Sequence, residues 1–430
     1  MSVRSAVRAT PASGDVFRQR DFRLFWAGEA SNIFASNATT LALPLIAVTV
    51  LDASPLTLGF LAAAVWLPWL LIGLVAGAWV DRLSKRRVMI VSSLLPASAL
   101  TGIWIAWVMH ALTIGQLFAT AFIIGVSSVF FISSYHAYFP ELVGKKDLLR
   151  GNARLQGTES VMYMLGPGAG GLIVQAFGAA SAGLMNGVAY FLSAVCMKSI
   201  RKRPSADRQT RPREGLRAEI GEGLRFVLKD AYFRPIVLYG AMGNLALDGY
   251  QAIYVAFLIR TVGVSPQIAG LLIAAGGLGG ILGAIAVPPV TRRFGTARGL
   301  LIGKFAVTPF TLLMPMTGPR DAVLFFFFGL LLADGSITAG SITMDSFRQM
   351  YCPPHMLGRV VATTTFIKYS TIPVGAILGG VVGDILGLRA TMWIMTGAFA
   401  CCSAILLWGP MRRVRDFPSQ PPRIAAEAGG

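Results

Sequence analysis

Three histidines and four cysteines in a chain of 430 residues leave little from which to build a metal centre. Cys196, Cys352, Cys401 and Cys402 stand at no metal-ligand spacing and suggest no disulfide framework. Charge is scarce as well. Only 13% of residues are Asp, Glu, Lys or Arg against 54% hydrophobic, which excludes an ordinary soluble enzyme with a charged surface. No nucleophile paired with a base, no ligand cluster and no phosphate-binding loop is visible, so neither catalysis nor a cofactor is expected. The N-terminus also lacks the basic patch, short apolar core and small-residue cleavage site of a secretory signal, so no signal peptide is expected to be removed.

Apolar length is what the chain has in quantity. Runs of roughly 18 or more residues with few or no charges recur, each long enough at about 1.5 Å per residue to cross a hydrocarbon core about 30 Å thick. In lipid such runs have to be helical, because unpaired backbone groups find no partners there. Spans fall at 24–51, 57–80, 88–110, 115–137, 151–176, 180–197, 235–259, 266–290, 299–317, 322–346, 360–386 and 390–410. The expected fold is therefore an all-α membrane protein of twelve transmembrane helices. Its bundles are 24–197 and 235–410, joined by a linker at 198–234, with tails at 1–23 and 411–430. Within the linker, Leu216, Ile220, Leu224 and Val227 share one helical face, which suits a helix lying on the membrane surface or a solvated linker helix.

The formal net charge of +18 is unevenly placed. Of the 38 lysines and arginines, 32 lie in the tails and in the loops that follow even-numbered spans, while the opposite loops hold Arg260, Arg320 and Arg389. By the positive-inside rule both termini are expected in the cytoplasm of a multi-pass inner-membrane protein. Topology accounts for the basic balance, and no nucleic-acid partner is implied.

The two halves read as copies. "SPLTLG" at 54–59 recurs as "SPQIAG" at 265–270, each opening an apolar span. Gly166, Gly170, Gly171 and Gly178 match Gly375, Gly379, Gly380 and Gly387 at a constant offset. A duplicated six-helix unit places a cleft between its copies near the bilayer midplane, and rocking of the halves opens it to either side in turn.

Two motifs carry the mechanism. Between spans two and three, Gly77, Asp81, Arg82, Ser84, Lys85 and Arg86 resemble the cytoplasmic signature of the major facilitator superfamily, with Ser84 in place of a glycine. Gly77 permits close helix approach, and Asp81 with the basic loop can form charge-assisted bonds across the halves, a cytoplasmic gate. The duplicate loop keeps Arg292, Arg293 and Gly295 but has Arg292 where the acid would stand, so only the first copy forms a full latch. In span five, "GPGAGG" (Gly166, Pro167, Gly170 and Gly171 among them) is similar to the core of the motif found in exporting, antiport-type members. Ordinary small-residue helix packing is the competing explanation. The segments 20–48, 138–156 and 357–390 extend the resemblance to the branch holding enterobactin exporters and macrolide efflux pumps. That resemblance implies helices one, four, seven and ten around the cavity, coupling to an ion gradient and a monomeric protein.

Ionisable groups inside spans are costly and are default candidates for coupling or substrate binding. Asp248 and Asp334 fall near mid-depth of spans seven and ten, and Glu29 lies nearer the cytoplasmic face of span one. These three are the candidate proton or cation sites, Asp248 first; the alternative for each is a structural pairing with a neighbouring helix. Glu159 and Lys368 occupy equivalent positions of the two halves, as a switching ion pair or as sites for a zwitterion. Lys304 is expected to snorkel to the interface. Trp66, Trp69, Tyr135, Tyr250, Tyr254 and Tyr369 offer stacking surface for a bulky ligand, and "FFFF" at 325–328 reads as packing.

The function implied is secondary active export of an amphipathic small molecule, drug or siderophore-like, by proton antiport through alternating access, with substrate, protons and lipid as the only partners. An importer or lipid flippase of the same fold is the alternative. A receptor or scaffold is a further one, although a receptor would carry a larger soluble appendage than one linker.

Overall fold

The computed structural model describes residues 19–80, 83–143, 148–201, 224–319, 322–353 and 356–418. Within them run twelve helices long and apolar enough to cross a membrane. In chain order they are α1 (Arg20–Thr49), α2 (Pro55–Val80), α3 (Lys85–Val108), α4 (Ile114–Val143), α5 (Leu148–Phe177) and α6 (Ala179–Ser199). The second six are α7 (Phe233–Ala256), α8 (Pro266–Phe294), α9 (Thr296–Val307), α10 (Val323–Tyr351), α11 (Leu357–Leu386) and α12 (Leu388–Cys402). Helical turns continue α7 to Val262, α9 to Met316 and α12 to Trp408. Most of the linker helix expected around Leu216 lies outside the described residues.

The repeated "SP" dipeptides are helix starts. Ser265 Oγ accepts from the Ile268 amide at 3.4 Å and Ser54 Oγ accepts from the Thr57 amide at 3.2 Å. The proline that follows each serine occupies the first helical turn, where its missing N–H costs nothing.

Packing repeats as the sequence does. In the first half α1 lies along α5 and α6, α2 along α4, and α3 along α4 and α6; in the second α7 lies along α11 and α12, α8 along α10, and α9 along α10 and α12. Each matched glycine pair has one job in both copies. Gly178 and Gly387 turn the α5–α6 and α11–α12 corners with φ of 85° and 83°, a region closed to most side chains. Gly166 and Gly170 seat α5 on Ala38 of α1, and Gly375 and Gly379 seat α11 on Leu245 and Gly249 of α7.

The third pair joins the halves. A Cβ on Gly171 would lie 2.9 Å from the Gly270 Cα, and one on Gly380 would lie 3.0 Å from the Gly59 Cα. The halves therefore meet along α5–α8 and α2–α11, two copies of one interface built on backbone contact. We call the end holding residues 52–55 and 263–266 the far end, and the end with the arginine-rich loops the basic end. Beyond the glycines, Met164 packs on Gly277, and Trp66 and Trp69 meet Tyr369 at ring distances of 5.6 and 5.5 Å. The glycine contacts lie in the far half of their helices while Trp69 and Tyr369 sit near mid-length, and Arg260 caps the far end by donating to the Ala53 carbonyl at 2.7 Å and to Asp52 Oδ1 at 2.6 Å.

Large apolar side chains on the outside, such as Leu71, Ile285 and Ile385, are more than half exposed, as lipid contact requires. Of the four-phenylalanine run, Phe326 is fully buried while Phe325 and Phe328 face outward.

Candidate functional site

The ionisable residues within the spans gather into three groups around the cleft. On the first half, α1 holds Glu29, only 9% exposed, with one carboxylate oxygen that meets no hydrogen-bond partner. Glu159 of α5 stands within electrostatic range of Glu29, Tyr135 and, across the cleft, Tyr369. It accepts from Gln156 Nε2 at 2.9 Å. The wall behind Glu29 is aromatic: Phe25 stacks on Tyr135 and Phe139, each at 5.6 Å. Trp26 Nε1 donates to Thr158 Oγ1 at 2.7 Å and so ties α1 to α5 beside the two acids.

The second group is central. Asp248 of α7 and Asp334 of α10 share a ring of tyrosines, with Tyr163, Tyr250 and Tyr254 each in the field of both carboxylates. Gly276 of α8 provides the seat for Asp334: a methyl group there would take the place of the carboxylate. Among the described residues neither aspartate has an ion-pair partner, and the hydroxyl of Tyr250 is buried without a hydrogen bond. Carboxylates at mid-span are costly to keep and are default candidates for function. Such a site can exchange a proton or bind a cation.

The third group belongs to the second half, where Lys368 and Lys304 border one cavity. The structure corrects the expectation for Lys304. Instead of snorkelling it is 2% exposed, and its Nζ donates to the Ser336 carbonyl at 2.8 Å. Gly340 of α10 leaves room for its stem, so the side chain turns into the bundle instead of toward the loop.

Glu159 and Lys368, equivalent in sequence, are not paired with each other. The charges acting on Lys368 are Asp345 and Arg348, themselves bridged at 2.8 Å. Asp345 and Arg348 lie at the basic end of α10. Their signal was the spacing of three residues, which puts opposite charges on one helix face.

At the basic end, Asp81 and Arg82 lie outside the described residues, as does any side-chain statement on Gly77. Lys85 pairs with Glu141 of α4, and Arg86 donates to the carbonyls of Met197 and Lys198 at the end of α6. Both contacts stay inside the first half. Arg293 lies 5.4 Å from the ring of its neighbour Phe294, also within its own half. In span five, Gly166 and Gly170 face α1, whereas Gly171 and the Pro167 carbonyl meet Gly270 of α8.

Twelve spanning helices in two copies, joined through glycine contacts and carrying ionisable side chains within their spans, define a transporter of the major facilitator superfamily. The chain belongs to its transmembrane secretion effector family, whose pattern matches residues 12–423. It is 25% identical over 381 residues to the multidrug efflux pump Tap of Mycolicibacterium fortuitum, covering 86% of this chain and 91% of that one. It is 20% identical over 392 residues to macrolide efflux protein A of Streptococcus pyogenes, covering 90% and 94%. A variant of the nucleoside transporter NupG has the same fold, with a TM-score of 0.76 at 12% identity over 90% of this chain and 99% of that one. A bacterial homologue of the iron transporter ferroportin superposes with a TM-score of 0.67 in its inward-facing state (16% identity, 90% and 98% covered). In its outward-facing state the score is 0.58 (17% identity, 91% and 99% covered).

Proposed function

We propose that this protein exports an amphipathic small molecule, drug or siderophore-like, from the cytoplasm across a bacterial inner membrane in exchange for protons, working as a monomer with both termini inside. The observation that carries the reading is the pair Asp248 and Asp334, half-buried at mid-span in the second half, without a cation partner among the described residues and below glycine contacts that close the far end. A carboxylate so placed takes up a proton when the cleft faces the acidic side and yields it when water or a cationic group reaches it from the other. The glycine contacts at the far end are those that part in the opposite state. The likeness to efflux pumps supports the outward direction.

Everted membrane vesicles energised to acidify their interior test this. Proton antiport predicts uptake of a fluorescent efflux substrate that Asp248→Asn abolishes. Uptake that persists in that variant, or that runs only in right-side-out vesicles, contradicts it, and the latter would mark an importer.

A further inference from the structure

Proton exchange at Asp248 and Asp334 makes no use of Lys304. Its Nζ reaches inward from α9 to lie 5.4 Å from the centre of the Tyr239 ring. Lys368 opens from α11 onto the same cavity of about 70 Å³, which Asn244, Ser341 and Phe399 help to line. Two glycines make the room for these lysines. A Cβ on Gly240 would fall 2.7 Å from the Lys368 Cε, and one on Gly340 would fall 2.6 Å from the Lys304 Cε. The amines thus occupy slots cut for them in α7 and α10.

Among the described residues the nearest countercharge is Asp345, which acts on Lys368 but is shared with Arg348. Among the described residues neither amine forms an ion pair. Of the groups facing them, Tyr239 is a phenol, Asp345 is engaged by Arg348 at 2.8 Å, and Arg348 adds a further cation beside Lys368. Lys304 also lies in the field of Lys368. Like charges gathered in a buried cleft repel one another and lack solvation, and an anion between them relieves both costs. Asn244, though it donates to the Lys368 carbonyl at 3.1 Å, and Ser341 add polar surface to the same wall.

We propose that this cavity in the second half is a subsite for a carboxylate borne by the transported molecule, held between the Lys304 and Lys368 ammonium groups. Two ammonium donors approaching from different helices suit the two oxygens of a carboxylate, and Phe399 offers an apolar face to the rest of the molecule. The identity of the ligand as cargo rests on the transport reading; the site itself does not.

The test uses the purified full-length protein in phosphatidylcholine nanodiscs, without any gradient, and follows thermal unfolding with benzoate or its neutral isostere benzamide. Benzoate should stabilise saturably and benzamide should not, and Lys304→Met or Lys368→Met should weaken the benzoate effect roughly tenfold or more. Should either variant fail to fold, the benzoate–benzamide contrast in the unaltered protein decides alone. Equal response to both compounds overturns the proposal, as does benzoate stabilisation that survives in both variants. Stabilisation by phosphatidylglycerol in the nanodisc with none by benzoate also overturns it, by giving the site to a lipid headgroup. Because no gradient is imposed, a failed proton-antiport experiment leaves this result standing, and the converse holds.

Discussion

At equivalent positions of the two halves, α5 carries Glu159 and α11 carries Lys368, and the contrast widens from that pair. The first half lines its side of the cleft with Glu29 and Glu159; the second has Lys304 and Lys368 toward the basic end and Asp248 and Asp334 deeper in. The scaffold beneath shows no such difference, since helix contacts, corner glycines and the half-to-half interface all recur by symmetry. Duplication repeated the scaffold, and the two copies diverged in a few ionisable side chains within their spans.

The largest effect should come from the charges that no repeat explains. Replacing Asp248 or Asp334 by Asn keeps the volume and removes the titrating group, and gradient-driven transport should fall by roughly a hundredfold or more, as loss of an essential proton carrier implies. Vesicle uptake measures it. A loss of less than about tenfold in both variants would contradict a coupling role for these aspartates.

Symmetry itself is tested next. Gly59→Val and Gly270→Val insert bulk against the partner helix at matched points, so each should open the far end and lower thermal stability by about 1–3 kcal/mol, as overpacking does. Equal effects at the two sites sharpen the comparison, whereas an effect at one alone breaks it. Charge reversal follows in size. Lys368→Glu should weaken transport of carboxylate-bearing substrates roughly tenfold, and adding Glu159→Lys should not restore it, because those residues are not paired. Rescue in the double variant would show that they do meet during the cycle.

Smaller shifts belong to the ends. Arg260→Ala removes the cap on Asp52 and Ala53, a bridge to an exposed carboxylate worth less than about 1 kcal/mol, so labelling of a cysteine placed at the far end should rise by no more than about fivefold. Lys85→Ala breaks an exposed pair inside one half and should change stability by less than about 1 kcal/mol in a thermal-unfolding assay.

The sequence made the architecture readable because lipid forces every long apolar run into a helix and because the glycines of the two copies keep register. Gly178 and Gly387, Gly171 and Gly380 were visible as a pattern before their tasks were known. The intramembrane acids were legible for the same reason, since a carboxylate in a greasy span is conspicuous. Their partners were not. Which tyrosines surround Asp334, and that Gly276 seats it, depends on helix rotation, which hydropathy does not encode. Lys304 does not snorkel because Gly340 offers its stem a slot inward, a contact that depends on helix packing and not on distance along the chain.

The central claim is that the halves pivot about the cleft, so that closure at one end accompanies opening at the other. Pulsed electron-spin distances in proteoliposomes test it, with labels at Ser54→Cys and Ser265→Cys, which open α2 and α8 at the far end, and at Ser84→Cys and Gln349→Cys at the basic end. On acidification with substrate present, each far-end label should draw away from a reference label on the facing half while the basic-end pair draws together. Distances that stay fixed, or that lengthen at both ends at once, would contradict the account.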